Sequence, residues 1–488
     1  MRKIILVGCI LVSGFISGQS RSITLEEAVA IAQKKSPDYK TLLNTNQQSY
    51  WRYRNFEASF LPQLRFDGTI PQYSNFTRRI TNDEGKDVFV RSNQATYEGT
   101  LSLNQNVPFT GGTFSVASTL ERIDVYGNDE STGYSVVPFS LRYTQNSLFY
   151  NEFKWDQKIE PLVYKEAKSQ FVESMEDISL NTSRRYFSLL TAQMQDKIAK
   201  KNLSNQDTLF QIAKGRFKIG KIAENDLLQI ELSVLNSRNA VVSNKIELKR
   251  ASQNLARYLE LNTEDIILNI PKELTSFKVS VEKALEEAKS NRKEVLAFRR
   301  RRLEAEKRVA EVTGSNRLQL SLRANFGISQ QGNVFDALFQ DYNQQQNVSL
   351  TIGIPLLDWG VSKSRRKLVE ANLDLVNNNI DQEKEAFEQE ILLHTLNWQN
   401  QRNFLETAEK AQEIAIKRYE ITKKRFILGK ITITDLNLAL EEKDRSVLTY
   451  LNSLEKFWID YYTLRKLTLY DFKTDKKITA EDILYDTN

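Results

Sequence analysis

Residues that carry metal or acid–base chemistry are scarce in this chain. Its 488 residues include one histidine (His394), one cysteine (Cys9) and three methionines. A transition-metal centre needs several Cys or His ligands, and a Ser–His or Cys–His catalytic pair would depend on His394 alone. His394 lies in a helical pattern, where a packed or partly solvated histidine is the usual case. We therefore predict no catalytic residue, no metal site, no cofactor and no enzyme activity.

One motif that mixes basic, aromatic, glycine and acidic residues occurs twice. Residues 216–222 read Arg-Phe-Lys-Ile-Gly-Lys-Ile and precede Asp226, and 209 positions later residues 425–431 read Arg-Phe-Ile-Leu-Gly-Lys-Ile and precede Asp435. Glycine accepts a positive φ where a helix ends, so both motif glycines are predicted to form turns between helices. Each aspartate is then expected to act as the N-cap of the helix that follows.

Other segments are duplicated as well. Residues 23–29 return 256 positions later at 279–285, whereas residues 139–141 return after 209 positions at 348–350. The difference places about 47 additional residues in the first half, between Leu61 and Phe139. The chain is thus predicted to be a tandem duplication with one insertion. We assign the two repeats to 19–270 and 271–470, followed by a polar tail at 471–488.

Each repeat is predicted to begin with a helix and to continue with strands. The helices are expected from Thr24 to Ala58, where Thr24 and Glu27 have capping-box spacing, and over about 280–312. Apolar and polar residues then alternate with period two, which predicts strands with one apolar face. These segments are 64–70, 139–144, 318–328 and 348–354, and the insertion adds a hairpin within about 99–125.

Very long helices follow the strands. They are predicted over 156–213 and 361–423, with return helices over 226–261 and 435–469. About 60 residues at 1.5 Å per residue make a rod of roughly 90 Å. A row of mostly large residues recurs every seven positions and faces a row of small ones, which is typical of coiled-coil packing between antiparallel helices. The large row is Ile391, Trp398, Leu405, Gln412, Tyr419 and Phe426.

The N-terminus has the pattern of an export signal. A basic start at Arg2-Lys3 precedes an uncharged apolar run and the small residues at 17–20, so residues 1–18 are predicted to be a signal peptide. Cys9 within a lipobox-like segment is the alternative, a lipoprotein signal. Lys and Arg number 68 against 62 Asp and Glu, without a concentrated basic block. This balance does not indicate nucleic-acid binding.

Strands with one apolar face on an exported chain fit either a soluble sheet or a membrane barrel. The helices use their apolar rows on one another, so we favour lipid against the sheet and a wet interior facing residues such as Arg65, Arg142 and Arg323. One chain supplies four to six strands, a barrel needs about eight, and open edges are not tolerated in lipid. Several chains must therefore share one barrel, with the helices continuing it as a tube.

This order of elements resembles the TolC-like outer membrane efflux protein family. So do Phe-Leu-Pro-Gln-Leu at 60–64, Pro-Leu-Leu-Asp-Trp-Gly at 355–360 and the paired Arg-Phe-x-x-Gly-Lys-Ile motif. The resemblance implies an α+β outer-membrane protein, a homotrimer with one 12-stranded β-barrel and a periplasmic α-helical barrel. It further implies a passive exit duct that works with a periplasmic adaptor and an inner-membrane transporter.

The resemblance also implies roles for the repeated motif. The position matched by Asp435 lies at the periplasmic aperture of the family, and Asp226 is its counterpart in the first repeat, so both are expected to gate the pore. Leu438 and Ile431 stand where the family has a second aspartate and an arginine. Helix capping alone is the alternative for the aspartates. The residues expected to contact the adaptor are Phe217, Lys218, Gly220, Phe426, Gly429 and Lys430.

Two other interpretations stay open at this point. Both Phe217 and Phe426 fit the heptad rows, so they are alternatively the last packed residues of the coiled coils. The whole chain is alternatively a soluble periplasmic coiled-coil adaptor or structural spacer, although that class does not explain the paired strands. The substrate does not follow from the sequence, but few Met, His and Cys argue against a dedicated copper or silver exporter.

Overall fold

The computed structural model describes residues 21–81, 83–127, 130–272, 277–316 and 318–480. The predicted signal peptide with Cys9, and the end of the predicted tail, lie outside these residues. The chain forms two compact units. One comprises the residues up to Thr45, Ser169–Arg292 and the residues from Phe387 onward; the other comprises Asn46–Lys168 and Lys293–Ala386. Each unit therefore draws on both halves of the sequence.

Eight α-helices lie in the described residues, four in each half and in matching order, and a short 3-10 helix covers Phe335–Phe339. The α-helices are α1 (Leu25–Lys35), α2 (Pro37–Ala58), α3 (Glu152–Lys218), α4 (Glu224–Tyr258), α5 (Val281–Asn291), α6 (Lys293–Asn316), α7 (Val361–Ile427) and α8 (Ile433–Thr468). The predicted capping box at the first helix is confirmed: the Glu27 amide donates to Thr24 Oγ1 at 3.2 Å, and the Thr24 amide donates to the Glu27 carboxylate at 3.0 Å.

The prediction of one continuous opening helix in each half is wrong. In the first half the helix breaks at Ser36, because a residue before proline is pushed towards an extended backbone and Pro37 suits the first position of a new helix. In the second half it breaks at Arg292, which has an extended backbone although no proline follows. The Arg292 side chain is buried, with its guanidinium 3.6 Å from Glu173 and 3.3 Å from Glu390. These tertiary ion pairs accompany the break.

Ten strands are present in the described residues. They are β1 (Arg21–Ile23), β2 (Gln63–Thr81), β3 (Asp87–Val107), β4 (Gly112–Val125), β5 (Ser131–Gln145), β6 (Ile266–Leu268), β7 (Gln319–Gly332), β8 (Asn343–Gly353), β9 (Tyr470–Asp471) and β10 (Lys476–Lys477). Each predicted strand segment falls within one of them or extends at most one residue past its end. The inserted residues form most of β3 and β4.

Six of these strands make one antiparallel sheet. Their order is β2-β3-β4-β5-β7-β8, so the two halves of the chain meet where β5 pairs with β7. The remaining strands form two short pairs, β1 with β6 in parallel and β9 with β10. The predicted alternation of apolar and polar residues holds along the large sheet, where Leu64 lies opposite Leu103 and Leu322 opposite Leu350.

The two longest helices, α3 and α7, have 67 residues each, which corresponds to about 100 Å at 1.5 Å per residue. The predicted heptad row on α7 is buried at Ile391, Trp398, Leu405 and Tyr419. Facing positions of the small row, such as Ala408 and Ala415, are buried too. Within the described ranges, none of the helices combines the length and the apolar character needed to cross a membrane.

Candidate functional site at the helix tips

The repeated motif forms two tight turns, which we call the first tip (residues 216–226) and the second tip (residues 425–435). At the first tip the Gly220 amide donates to the Phe217 carbonyl and the Lys221 amide to the Arg216 carbonyl, both at 2.9 Å. The second tip repeats this pair of bonds at 2.8 and 3.0 Å. This is the Schellman arrangement that ends a helix, and the predicted positive φ is confirmed at Gly220 (67°) and Gly429 (73°).

The N-caps of the return helices differ between the tips. Ala223 is the N-cap of α4 and has no side chain that can cap, whereas Thr432 caps α8. The prediction that Asp226 and Asp435 are themselves N-caps is therefore wrong: each is the third residue of its helix. The reason is that the extended backbone of an N-cap occurs at Ala223 and Thr432, directly after each turn, so each helix begins two residues before the aspartate.

Asp435 forms a capping box with Thr432. The Asp435 amide donates to Thr432 Oγ1 at 3.2 Å, while the Thr432 hydroxyl and amide donate to Asp435 Oδ2 at 2.7 and 3.1 Å. These hydrogen bonds, with a smaller contribution from the nearby Arg425 charge, lower the pKa of the exposed Asp435 carboxyl. Both bonds to the carboxylate end on Oδ2, and the lowered pKa keeps the exposed side chain charged at neutral pH.

Behind the turns, one apolar cluster joins the two tips. Its buried members come from α3, α4, α7 and α8: Leu209, Ala213, Ile230, Tyr419, Ile433, Leu436 and Ala439. Phe426 packs against this cluster, as the heptad interpretation predicts. Phe217, at the matching position of the first tip, is 39% exposed and is not part of the cluster. The two phenylalanines of the motif therefore have different surroundings.

An arginine links the first tip to the second. The Arg216 guanidinium donates through Nη1 to the Phe426 carbonyl at 3.3 Å and through Nη2 to the Ile427 carbonyl. These carbonyls lie at the C-terminal end of α7, where a cation is also favoured by the helix dipole. The matching arginine of the second tip, Arg425, lies instead near Asp435. The repeat thus uses one residue type for two different contacts.

A cavity of about 580 Å³ opens between the tips. Its lining includes Ile212, Arg216, Ile222, Asp226, Phe426 and Ile433. The predicted contact residues Lys218, Gly220, Gly429 and Lys430 are all exposed around the turns, and Asp226 is half-buried. In the part of the chain that the structure describes, no group of three or more His, Cys, Asp or Glu side chains is placed to hold a metal ion.

The sequence interpretation overlooked Thr432 and Arg216. Thr432 was detectable, because a threonine three residues before an acidic residue has the spacing of a capping box. Arg216 was not, since its carbonyl partners lie more than 200 residues away in sequence. The buried cluster also depends on helices that meet only in the folded chain.

The chain resembles known proteins in both sequence and fold. A family model described as outer membrane efflux protein matches residues 130–260 and 279–468. The outer membrane channel CmeC of Campylobacter jejuni is similar in fold, with a TM-score of 0.67 at 14% identity over 95% of this chain and 89% of that one.

Two further solved structures are similar in fold. VceC of Vibrio cholerae, an outer membrane protein, has a TM-score of 0.62 at 15% identity, over 92% and 96% of the two chains. The open state of the outer membrane channel MtrE of Neisseria gonorrhoeae has a TM-score of 0.57 at 11% identity, over 91% and 88%. No curated protein sequence matches the chain.

Proposed function

The chain belongs to the outer membrane efflux protein family, and we propose that three copies form a passive exit duct supplied by an inner-membrane transporter through a periplasmic adaptor. Membership confirms the predicted resemblance, the outer-membrane location and the role as the channel component of an export system. The family is one of channels and not of enzymes. The copy number, the adaptor contact and the gate residues are our proposals.

The main support for the proposed duct is that one chain combines two features. A six-stranded sheet with one apolar face fits a membrane wall, and hairpins of helices about 100 Å long fit a tube across an aqueous space. A soluble spacer would need the helices but has no use for a sheet face that carries exposed Leu64, Phe66 and Val348.

An unpartnered helix face supports assembly of several copies. On α4, apolar residues at spacings of three, four and seven remain exposed in the single chain: Leu228, Leu232, Leu235, Val242 and Ile246. On α7, Phe404, Ile414 and Ile421 are exposed as well. Apolar heptad positions of this kind are covered by a neighbouring helix in a coiled coil. We propose that the α4 face of one copy is covered by a helix of the next.

Fractionation and native mass test the duct itself. We expect the expressed protein in the outer-membrane fraction, soluble only in detergent, with a native mass of three protomers. The matched variant Leu232→Glu with Leu235→Glu places charges in the proposed contact and is expected to yield monomers. A wild-type protein that is freely soluble as a monomer or dimer would contradict the duct and favour the spacer.

We propose that Asp435 forms the periplasmic gate, with Asp226 contributing to the same acidic rim. The capping box supports this role, because the bonds from Thr432 orient the Asp435 carboxylate and favour its ionised form. Three such carboxylates around one axis would attract cations, and a multivalent cation bridging them would block flow. A cap and a gate are thus compatible uses of one residue.

Single-channel conductance with a trivalent cation on the periplasmic side tests the gate. Wild-type channels are expected to be blocked, and Asp435→Asn to raise the blocking concentration at least about tenfold, because the ring loses its charge. Asp226→Asn is the matched control. It is expected to change the blocking concentration less, since the Asp226 side chain is half-buried. Equal block in wild type and Asp435→Asn would refute the Asp435 gate.

For the adaptor, we propose contact with Phe217, Lys218 and Gly220 at the first tip and with Gly429 and Lys430 at the second. Phe426 contributes indirectly, because it packs against the buried cluster. A photo-crosslinking residue at Lys218 or Lys430, introduced into cells that produce the native partners, is expected to capture a periplasmic protein. The same residue at Lys249, exposed farther along α4, is the control. Capture at Lys249 alone would contradict the proposed contact.

A further inference from the structure

We infer that the inserted hairpin is part of the barrel wall, so that three copies close an 18-stranded barrel in which β8 of each copy pairs with β2 of the next. The inference rests on the proposed trimer and changes the 12 strands that the family resemblance implies. It follows from the six-stranded sheet of one chain, in which β3 and β4 are interior strands.

The first support is the ladder of backbone hydrogen bonds. β3 pairs with β2 along β2 from Gln63 to Thr81. Residues 94–107 of β3 pair with the whole of β4, and β4 pairs with β5. The sheet therefore reaches β2 only through β3 and β4. Moving the hairpin out of the wall would break the β2–β3 and β4–β5 ladders and would require β2 and β5 to pair with each other, whereas the structure pairs each of them with an inserted strand.

The second support is that the apolar face continues through the inserted strands. Residues that lie directly opposite one another in a sheet share a face. Starting at β2, one such face carries Leu64 and Phe66, then Leu103 and Leu101, then Val116, Leu141, Phe326 and, on β8, Val348 and Leu350. Ser118 and Gln346 also lie on this face, opposite Leu101 and Phe326. Each of the six strands nevertheless contributes apolar side chains to it, so lipid would meet β3 and β4 as it meets the others.

A detail of the β2–β3 pair fits this band. Gly68 lies opposite Gly99, and the Phe66 ring covers both glycines, with ring atoms 3.3 and 3.4 Å from the positions of their absent Cβ atoms. An aromatic ring over a cross-strand glycine pair stabilises an otherwise bare stretch of sheet. The pairing of the inserted β3 with β2 is thus supported by a specific side-chain contact on the apolar face.

The opposite face of the inserted strands is polar and internally hydrogen-bonded. The Ser115 hydroxyl donates to Asn104 Oδ1 at 2.6 Å, and the hydroxyls of Thr100 and Thr119 are 3.0 Å apart. These side chains share a face with Arg142 and Asn325 of β5 and β7. A polar face of this kind suits the wet interior of a barrel.

The two edges of the sheet point to a second copy as the partner. Among the described residues, β2 and β8 end the sheet and each pairs with a single strand. Both carry exposed apolar side chains, Phe66 at 68% and Val348 at 77% exposure. All pairs are antiparallel and six is even, so β8 runs opposite to β2. Copies joined at these edges continue the antiparallel order without interruption.

The stagger of the strands also fits a barrel. Gln63 is the first residue of β2. Successive opposite residues lead from it across the sheet to Asn347 on β8. Asn347 lies six residues before Gly353, the last residue of β8. A stagger of six residues over the steps between six strands corresponds to a tilt of about 40° at ordinary strand spacings. Outer-membrane barrels have tilts in this range. At equal tilt, 18 strands make a barrel about half as wide again as 12 strands.

Electron cryomicroscopy of the full-length protein in lipid nanodiscs tests the strand number directly. We expect three protomers and 18 strands at the membrane level. Three protomers with 12 strands would overturn the inference and leave the exit duct intact. Two protomers sharing 12 strands would overturn both the inference and the proposed trimer, and a protein that does not enter nanodiscs would overturn the duct itself.

Cysteine crosslinking gives an independent test in intact outer membranes. The only cysteine, Cys9, lies in the predicted signal peptide, so added cysteines are the reactive ones. Phe66→Cys combined in turn with Val348→Cys or Leu350→Cys is expected to link neighbouring copies into a trimer ladder in at least one pairing. The control Leu101→Cys with Phe326→Cys places both residues on interior strands of the same face and is expected not to link copies. A ladder from the control pair alone would overturn the proposed edge pairing.

Spin labels locate the inserted hairpin relative to lipid. A label at Val116→Cys on the apolar face of β4 is expected to be more accessible to oxygen, which dissolves in lipid, than to a water-soluble nickel chelate. The adjacent control, Ser115→Cys on the polar face, is expected to show the reverse preference. If both positions respond to nickel, the hairpin lies outside the membrane and the inference fails.

Discussion

The two tips share a motif and a backbone turn but differ in what their side chains do. Both turns have the same pair of hydrogen bonds and a glycine with positive φ. At the second tip, however, a threonine caps the return helix and donates a hydrogen bond to the aspartate. The phenylalanine of this tip packs against the buried cluster. At the first tip alanine replaces the threonine and the phenylalanine is exposed. The two copies of the motif thus have the same turn but different side-chain contacts.

This difference fits the roles proposed for the two tips, a gate at the second and an adaptor contact at the first. A gate residue needs a fixed position, and the second tip provides it through the Thr432–Asp435 box and the buried Leu436. A surface for a partner protein needs exposed side chains, and the first tip provides Phe217 and Lys218. The contrast is testable as local stability, because hydrogen exchange measured by mass spectrometry reports the opening of each return helix separately.

The largest expected difference comes from the leucines that follow the two aspartates. Leu436 is fully buried in the cluster, whereas its counterpart Leu227 only packs against it. Leu436→Ala is therefore expected to lower the free energy of opening of α8 by about 2–4 kcal/mol, and Leu227→Ala that of α4 by less than half as much. Exchange of peptides at the start of each helix measures both. Equal losses would remove the proposed asymmetry in packing.

Exchanging the N-cap residues tests the next difference. Thr432→Ala is expected to destabilise the first turn of α8 by about 1 kcal/mol, since the cap bonds to the Asp435 amide and carboxylate are lost. The reverse change, Ala223→Thr, gives α4 a threonine three residues before Asp226. It is expected to raise the free energy of opening of the first turn of α4 by a similar amount and so to slow exchange there. If Ala223→Thr leaves exchange unchanged, the tips differ for a reason other than capping.

Local sequence signals predicted much of this site. Glycine followed by the return helix placed both turns correctly, because a Schellman turn depends on residues within one stretch of chain. The N-cap prediction was wrong by three residues, because residue type alone does not give the number of residues between the glycine and the start of the next helix. The break before Pro37 was likewise readable from the proline.

Other features depend on residues far apart in sequence. The break at Arg292 has no proline, and its buried ion pairs reach Glu173 and Glu390. The inserted residues were recognised as a hairpin, but their place as interior strands required the pairing of β2 with β3 and of β4 with β5. Periodicity predicts which face of a strand is apolar; it does not predict which strands are neighbours.

A smaller effect is expected from the arginines of the motif. Arg216→Gln removes the hydrogen bonds to the Phe426 and Ile427 carbonyls. It is expected to lower the free energy of opening at the end of α7 by about 0.5–1 kcal/mol and so to speed exchange there. The effect appears on a different hairpin from the mutation, which distinguishes it from a local loss of helix propensity. Arg425→Gln is the control and is expected to leave the end of α3 unchanged. Faster exchange only within α3 in Arg216→Gln would contradict the link between the tips.

The smallest expected difference is in pH dependence. Because the pKa of Asp435 is lowered in the folded state, its stabilising contribution is fully present above the unfolded value of about 3.9 and is lost as the pH falls through the folded pKa. Exchange at the start of α8, corrected for the intrinsic rate, is thus expected to be constant from pH 7 to pH 5 and to rise by no more than a few-fold below about pH 4. Asp435→Asn, which does not titrate, is the control and is expected to lack this rise. A change between pH 7 and pH 5 in the wild type that Asp435→Asn abolishes would mean that the carboxylate is not held ionised by Thr432, and the fixed charge proposed for the gate would lose its structural basis.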